Sequence, residues 1–254
     1  MFIPLRINLD PMKFFLSIVV PCFNEKNVFL TNLEKAKILT QEFKDLEIIF
    51  LDNGSSDGSR EIFKKYEKSE LPGISFCYIT KNKGYGYGIK YALKNNSSEF
   101  VGWTHGDGQT DLLDIRKAIS ILKSKEIVNL VKGTRKNRSK IESFISIFMG
   151  KIATLILKLQ LNEINAQPSI YRSDILEEID SYSDDLLFDL DAFVFGTFHY
   201  GQAKRFNVFF PKRRHGKSSW NKGFYSKIKF IIHNLKRMLK IRKELARRSN
   251  FESI

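Results

Sequence analysis

A chain of 254 residues that is 43% hydrophobic and 28% charged can bury one substantial core and reads as a single globular domain. Lys151 and Lys158 interrupt its most apolar stretch, Ser143 to Leu161, so no window has the eighteen consecutive apolar residues of a spanning helix. The net charge of +14 is concentrated: from Lys222 to Arg248 ten Lys/Arg face the single acid Glu244, which makes the C-terminal stretch the basic partner surface.

The start, Met12 to Leu16, has the composition of a signal peptide, but no small-residue cleavage site follows and the apolar run leads straight into Pro21-Cys22-Phe23-Asn24-Glu25. It reads as the first core strand, with residues 1–15 an extension and the beginning of that strand. Strands are predicted at Leu16 to Val20, Glu47 to Leu51, Ile74 to Ile79, Phe100 to Thr104 and Ile127 to Val131. Helices are predicted at Asn27 to Phe43, Gly58 to Lys68, Tyr85 to Asn95 and Asp111 to Lys123. This alternation implies an α/β fold on a mostly parallel sheet. Cys22 and Cys77 lie in apolar strand contexts without disulfide or zinc spacing, and a reducing, cytoplasmic compartment is expected.

After Val131 the alternation breaks. A long apolar helix (Ser143 to Leu161), a short segment (Ile164 to Tyr171), a helix (Leu187 to His199) and a strand (Lys204 to Phe210) follow, and they read as a second half laid over the first. Residues 1–221 are expected to form the domain and residues 222–254 a basic amphipathic helix or tail.

In a parallel sheet the functional loops gather beyond the carboxyl ends of the strands. Here those positions carry Asn24 and Glu25, then Asp52 and Asn53, then Asn82, then His105, Asp107 and Gln109, so four strands aim acids and amides at one edge. A lone acid such as Asp57 or Asp111 is as readily a helix cap. In His105-Gly106-Asp107-Gly108-Gln109, two oxygen ligands two residues apart, with glycines that admit a diphosphate, suit Mg²⁺ or Mn²⁺, and His105 can be a third ligand to a manganese-like ion.

Taken in order, Val20 to Glu25, Asp52 to Ser59, Asn82 to Gly88 and Asp107-Gly108-Gln109 resemble family 2 glycosyltransferases, and in particular the polyprenyl-phosphate group that includes dolichol-phosphate mannose synthase. Lys132-Gly133-Thr134-Arg135 resembles that group's Gly-Ser-Arg, Phe188-Asp189-Leu190-Asp191 its acidic helix, and Val208 to Ser218 its arginine-glycine-serine segment. The resemblance spans roughly Leu16 to Trp220. It implies a GT-A-like fold, a nucleotide-sugar donor (UDP- or GDP-linked), inversion at the anomeric carbon and a divalent metal on the diphosphate. Pro21, Phe23, Asn24, Glu25, Asp52, Asn53, Asn82 and Gly84 would then hold the nucleotide, and Asp107, Gln109 and His105 the metal. Two departures stand out: His105 occupies the first acid position of the usual Asp-x-Asp, and Asn53 the second position of the usual Asp-Asp pair.

A hydroxyl acceptor needs a base, for which Asp191 comes first and Asp189 second. A polyprenyl phosphate needs cations instead, and Arg135, Arg213 and Ser218, with Gln167 beside them, form the expected acceptor group. The acceptor is expected to be a polyprenyl phosphate or a lipid-linked or cell-surface glycan. From Phe224 to Lys240 apolar and basic residues alternate at helical spacing, which suits either an anionic membrane surface or packing on the domain. Two rivals remain. A nucleotide-dependent oxidoreductase is suggested by Gly84-Tyr85-Gly86-Tyr87-Gly88, although the spacing is wrong and the run follows the third strand. A nucleic-acid-binding module is suggested by the basic tail, but its charge is not interleaved with aromatics as stacking platforms need, so no nucleic-acid partner is expected.

Overall fold

The computed structural model describes residues 14–138, 140–211 and 224–252. Its first half is a run of β-α units: β1 (Leu16–Cys22), α1 (Lys26–Glu42), β2 (Leu46–Asn53), α2 (Ser59–Glu67), β3 (Ile74–Ile79), α3 (Tyr85–Leu93), β4 (Phe100–Trp103) and α4 (Ile115–Leu122). The first four strands are parallel. β1 is apolar at almost every position because helices cover both faces of the sheet, as parallel strands require. The register sets Cys22 beside Asp52, bringing the ends of β1 and β2 to one edge.

The second half comprises β5 (Leu130–Lys136), α5 (Lys140–Leu157), β6 (Ser169–Arg172), α6 (Phe188–Tyr200), β7 (Lys204–Phe209) and α7 (Phe224–Glu252). These strands extend the same sheet rather than lying over it, in the order β3-β2-β1-β4-β6-β5-β7. β6 runs antiparallel to both β4 and β5, and β7 parallels β5. The result is the expected α/β architecture, a seven-stranded, mostly parallel sheet flanked by helices.

Two sequence expectations shift. The fifth strand starts at Leu130, leaving Ile127 92% exposed. Its register follows from pairing with β6 and β7 and carries it through the polar residues Thr134 to Lys136, which local composition does not mark as a strand. The segment Ile164 to Tyr171 supplies β6, whose four residues are too few for a periodic signal.

On one face of the sheet α1, α2 and α4 enclose an aromatic cluster in which Phe29 lies 4.3 Å from Phe63 and 5.2 Å from Phe50, ring to ring. On the other face Trp103 stacks on Tyr171 at 5.1 Å and tilts against Phe188 of α6 at 4.9 Å. α7 joins that second core through Met238, Ile241 and Leu245. Each such side chain contributes about 1.5–3 kcal/mol of burial, so the C-terminal helix is held on the body of the protein. Its inward face is rotated from the apolar stripe expected from sequence: Ile232 and Leu239 point outward, and Arg237 turns in. Among the described residues, no helix is long and apolar enough to cross a membrane.

Candidate active site

At the carboxyl edge of the sheet the loops after β1 and β2 are bound to each other. Asn24, at φ +60°, accepts from the Ser56 amide at 2.8 Å, and its own amide donates to the Ser55 hydroxyl at 3.0 Å. Asp57 caps two helices, accepting from the amide of Lys26 in α1 at 3.1 Å and of Ser59 in α2 at 3.0 Å. Burial alone would raise its carboxyl, but the Ser59 hydroxyl and these amides bring it below the usual range. Asp111 likewise accepts from the Leu113 amide as a cap.

Asp52 is fully buried. One of its oxygens accepts from the Ser55 amide at 2.9 Å and the other from Arg60 Nε at 2.5 Å, while the Arg60 Nη2 also donates to the Ile79 carbonyl. A base entering here would meet the loop that Asp52 organises before it met the carboxylate. Phe23, 41% exposed, stands at the rim beside Pro21, and Glu25 is buried at the start of α1. Arg60 is a site residue that sequence reasoning missed. It is the second residue of α2, where nothing local separates it from a solvated cation.

Asn53 donates to the Gly84 carbonyl at 3.0 Å, and the Asn82 side chain accepts from the Gly84 amide at 2.9 Å, stitching the ends of β2 and β3 together. Gly84 has φ +125°, and a Cβ on it would collide with the Asp184 carbonyl. A Cβ on Gly86 would strike the Ser183 carbonyl. The glycine-rich run is thus filled by the protein's own chain, which leaves no cradle for a dinucleotide and removes the oxidoreductase rival.

The loop after β4 presses on the end of β1. A Cβ on Gly106 would overlap the Pro21 carbonyl, and Asn32 donates to the Gly106 carbonyl at 3.0 Å. Asp107 accepts from the Gln109 amide at 3.0 Å, and Gln109 Nε2 donates to the Pro211 carbonyl at 3.2 Å, reaching the end of β7. The buried Cys22 thiol registers the convergence: burial pushes it up, and the fields of Glu25, Asp52, Asp107 and Asp57 push it further. These acids, drawn from three loops, therefore surround one strand end.

No three His, Cys, Asp or Glu side chains come together as a metal cage among the described residues. One carboxylate, an amide and an imidazole within a glycine loop still fit Mg²⁺ or Mn²⁺, which take few protein oxygens and share the rest with phosphates.

Behind this edge, Asp189 accepts from the Trp103 indole at 2.7 Å and from Gln167 at 3.2 Å, and Gln167 also donates to the Tyr85 hydroxyl. Burial pushes Tyr85 well up, with Asp189 adding to it. Asp191, two positions on, points the other way around the helix. It accepts from the amide and hydroxyl of Ser183, both at 2.7 Å, and from Arg237 of α7. The acid placed first as a base is therefore enclosed in an ion pair, and Asp189 lies nearer the strand ends.

Arg135, at the end of β5, donates to Glu163 at 2.8 Å, and its guanidinium lies 5.4 Å from the Phe210 ring centroid. The same ring lies 5.6 Å from the ring of His105, so one aromatic side chain joins the metal-side loop to the cationic side. Arg138 donates to Ser146 at 2.8 Å and, like Arg135, reaches Glu163. Arg205 donates to the Gly133 carbonyl at 3.1 Å, and the buried Lys132 donates to Ser169 at 2.5 Å. Arg135 and Arg138 thus share Glu163, whose field also reaches Arg205, while the buried Lys132 feels the field of Asp189. Arg213 and Ser218 lie outside the described residues.

The family profile described as Glycosyl transferase family 2 matches residues 17–180. The chain belongs to that family. Among curated relatives, a dolichyl-phosphate beta-glucosyltransferase of Trichomonas vaginalis is 28% identical over 60% of this chain and 51% of its own length. An uncharacterised glycosyltransferase of Rickettsia typhi is 33% identical over 36% of this chain and 26% of its own. The chain therefore spans about half or less of the length of these relatives. Among solved structures, glucosyl-3-phosphoglycerate synthase of Mycobacterium tuberculosis with Mn²⁺ and UDP-glucose superposes with a TM-score of 0.66 at 16% identity, covering 89% of this chain and 79% of that one. A mannosyltransferase of Pyrobaculum calidifontis with GDP-mannose and Mn²⁺ gives 0.56 at 18% identity, covering 79% and 58%. These likenesses establish the GT-A fold for this family 2 member.

Proposed function

We propose that this family 2 protein transfers a sugar, with inversion, from a nucleotide-sugar to a phosphate carried on a polyprenyl lipid, working peripherally on the cytoplasmic face of a membrane. The observation that carries this reading is the Phe210 junction: an acid-lined edge that suits a metal-bound diphosphate stands next to a cation-rich corner that suits a phosphate acceptor. The donor is a UDP- or GDP-linked sugar, as in the two structural neighbours. The dolichyl-phosphate relative supports the acceptor class.

In this reading the loops after β1, β2 and β3 hold the nucleoside, with Phe23 and Pro21 against the base and Asn24, Asp52, Asn53, Asn82 and Gly84 keeping the pocket in shape. Asp107, Gln109 and His105 would hold a divalent ion, which supplies Lewis-acid stabilisation of the leaving diphosphate. An acceptor phosphate oxygen attacks the anomeric carbon as the bond to the diphosphate oxygen breaks, and the nucleoside diphosphate departs with the electron pair. A phosphate anion needs no base, which agrees with the enclosure of Asp191 and leaves Asp189 and Gln167 to shape the sugar pocket. Arg135 and Arg213, with Ser218, position the acceptor.

A panel of radiolabelled sugar nucleotides with membrane lipid extract tests this reading. Label should enter the organic phase with wild type and not with Asp107→Ala. Wild type that transfers from no donor, or a variant as active as wild type, would overturn it.

A further inference from the structure

α5 is apolar on both sides, and among the described residues only one side is covered. Ala153 and Leu157 are buried, and Gly150 lies so close to the Leu161 carbonyl that a Cβ there would crowd it. The opposite side carries Phe144, Ile147, Phe148 and Leu155, with Lys151 among them, inside an arc of about 100° at 100° per residue. Phe144 is 69% exposed, Phe148 54% and Leu155 79%, and the two phenyl rings stack on each other at 6.4 Å. A helix whose outer face is polar needs no partner. One that shows water two phenylalanines, an isoleucine and a leucine in a row does.

The neighbouring α7 says what that partner is. Its inner face is set into the core by Asn234, Met238, Ile241 and Leu245. Its outer face from residue 229 to 247 carries Lys229, Lys236, Lys240, Lys243 and Arg247, with the exposed Ile232 and Leu239 between them. None of those five cations has an acidic partner among the described residues. An unpaired basic face beside an exposed apolar stripe matches an anionic bilayer, which offers negative headgroups over a hydrocarbon layer. A protein partner would have to match both surfaces at once.

We infer that α5 and α7 together form a bilayer-docking surface, in which the α5 stripe enters the acyl boundary and the α7 cations lie on anionic headgroups. The inward side of α5 supports that orientation, because Ser146 accepts from Arg138 at 2.8 Å and from Arg135 at 3.5 Å. A membrane on the outer side of α5 then lies one helix diameter, roughly 10 Å, from the cations assigned to the acceptor. The inference rests on the lipid-acceptor reading for its purpose, but its measurement does not pass through catalysis.

The test is flotation of the full chain with vesicles of neutral lipid alone and of neutral lipid with an anionic lipid, read beside binding of the sugar nucleotide in solution. Wild type should float with anionic vesicles. Phe144→Asp/Phe148→Asp should reduce partitioning on the order of tenfold at low and at high salt. Lys236→Glu/Lys240→Glu should reduce it at low salt by a similar factor, and high salt should erase the difference between that variant and wild type. All four positions are exposed, so each variant should melt like wild type and bind donor normally. A Phe148→Trp probe should shift its emission to the blue on anionic vesicles. Wild type that stays unfloated, an α5 variant that floats equally well, or a wild-type dimer that the α5 variant converts to monomer would overturn the proposal. Failure of donor binding with flotation intact would strike the catalytic reading instead.

Discussion

Asp191 and Arg237 form an ion pair across 46 residues of sequence: Nε donates to Oδ1 at 2.7 Å, with the carboxylate fully buried. The contact fastens the C-terminal helix to α6. The same carboxylate also holds Ser183, next to the Asp184 carbonyl that receives the Tyr87 amide of α3 at 2.9 Å. Removing Arg237 strands the buried Asp191 carboxylate, and removing Asp191 leaves the Arg237 guanidinium with only a 3.6 Å contact to Glu244. Arg237→Ala and Asp191→Ala should each lower unfolding free energy by about 3–5 kcal/mol in urea titrations, and the double variant should cost less than their sum. An Asp191→Asn protein as stable as wild type but devoid of turnover would return Asp191 to the role of base.

Asp107 is the carboxylate on which the metal reading depends. Asp107→Ala should reduce kcat by about 10²–10³-fold or more, and Mn²⁺ should no longer tighten donor binding in calorimetry. Because Asp107 also accepts from the Gln109 amide, Asp107→Asn should keep the loop and still lose the Mn²⁺ effect.

Lys132 predicts a pH dependence. Burial pushes its ammonium down to about 7, with Asp189 resisting and Arg205 and Arg135 adding to the depression. Between about 7 and the ordinary lysine range the unfolded chain holds a proton that the native state lacks, so stability rises with pH across that window. Below it both states are protonated and the full cost of the buried charge is present. Lys132→Met should remove up to about 1.4 kcal/mol per pH unit of slope, read as urea midpoints from pH 6 to 9 in both proteins.

Gly84→Ala forces a Cβ against the Asp184 carbonyl at φ +125°. It should cost about 1–3 kcal/mol and weaken sugar-nucleotide binding, since Asn53 and Asn82 both hold the Gly84 backbone. Thermal melts and a donor titration on the same preparation check both effects.

Much of the edge is legible because strand ends and turn chemistry are local. Asn24 and Asp52 follow apolar runs directly, Asn82 and Asp107 come within four residues of one, and parallel pairing must bring such positions to one edge. Phe210 and Arg60 were not legible as site residues, because their partners His105 and Asp52 lie far along the chain or across a turn. The adjacency of Asp189 and Asp191 gives no ground for placing Asp191 ahead of Asp189 either. Their helix turns one toward Trp103 and the other toward Arg237, and neither partner is near them in sequence.

The sequence by itself determined the β-α alternation, the order of the acidic and amide loops and the family, since each depends on short-range pattern. Only the tertiary structure decided that β6 wedges antiparallel into the sheet, that Asp191 is enclosed by α7, and that α5 turns one apolar face to the core and leaves the other uncovered among the described residues. Periodicity reports how many faces of a helix are apolar, but what covers each face depends on contacts between elements distant along the chain.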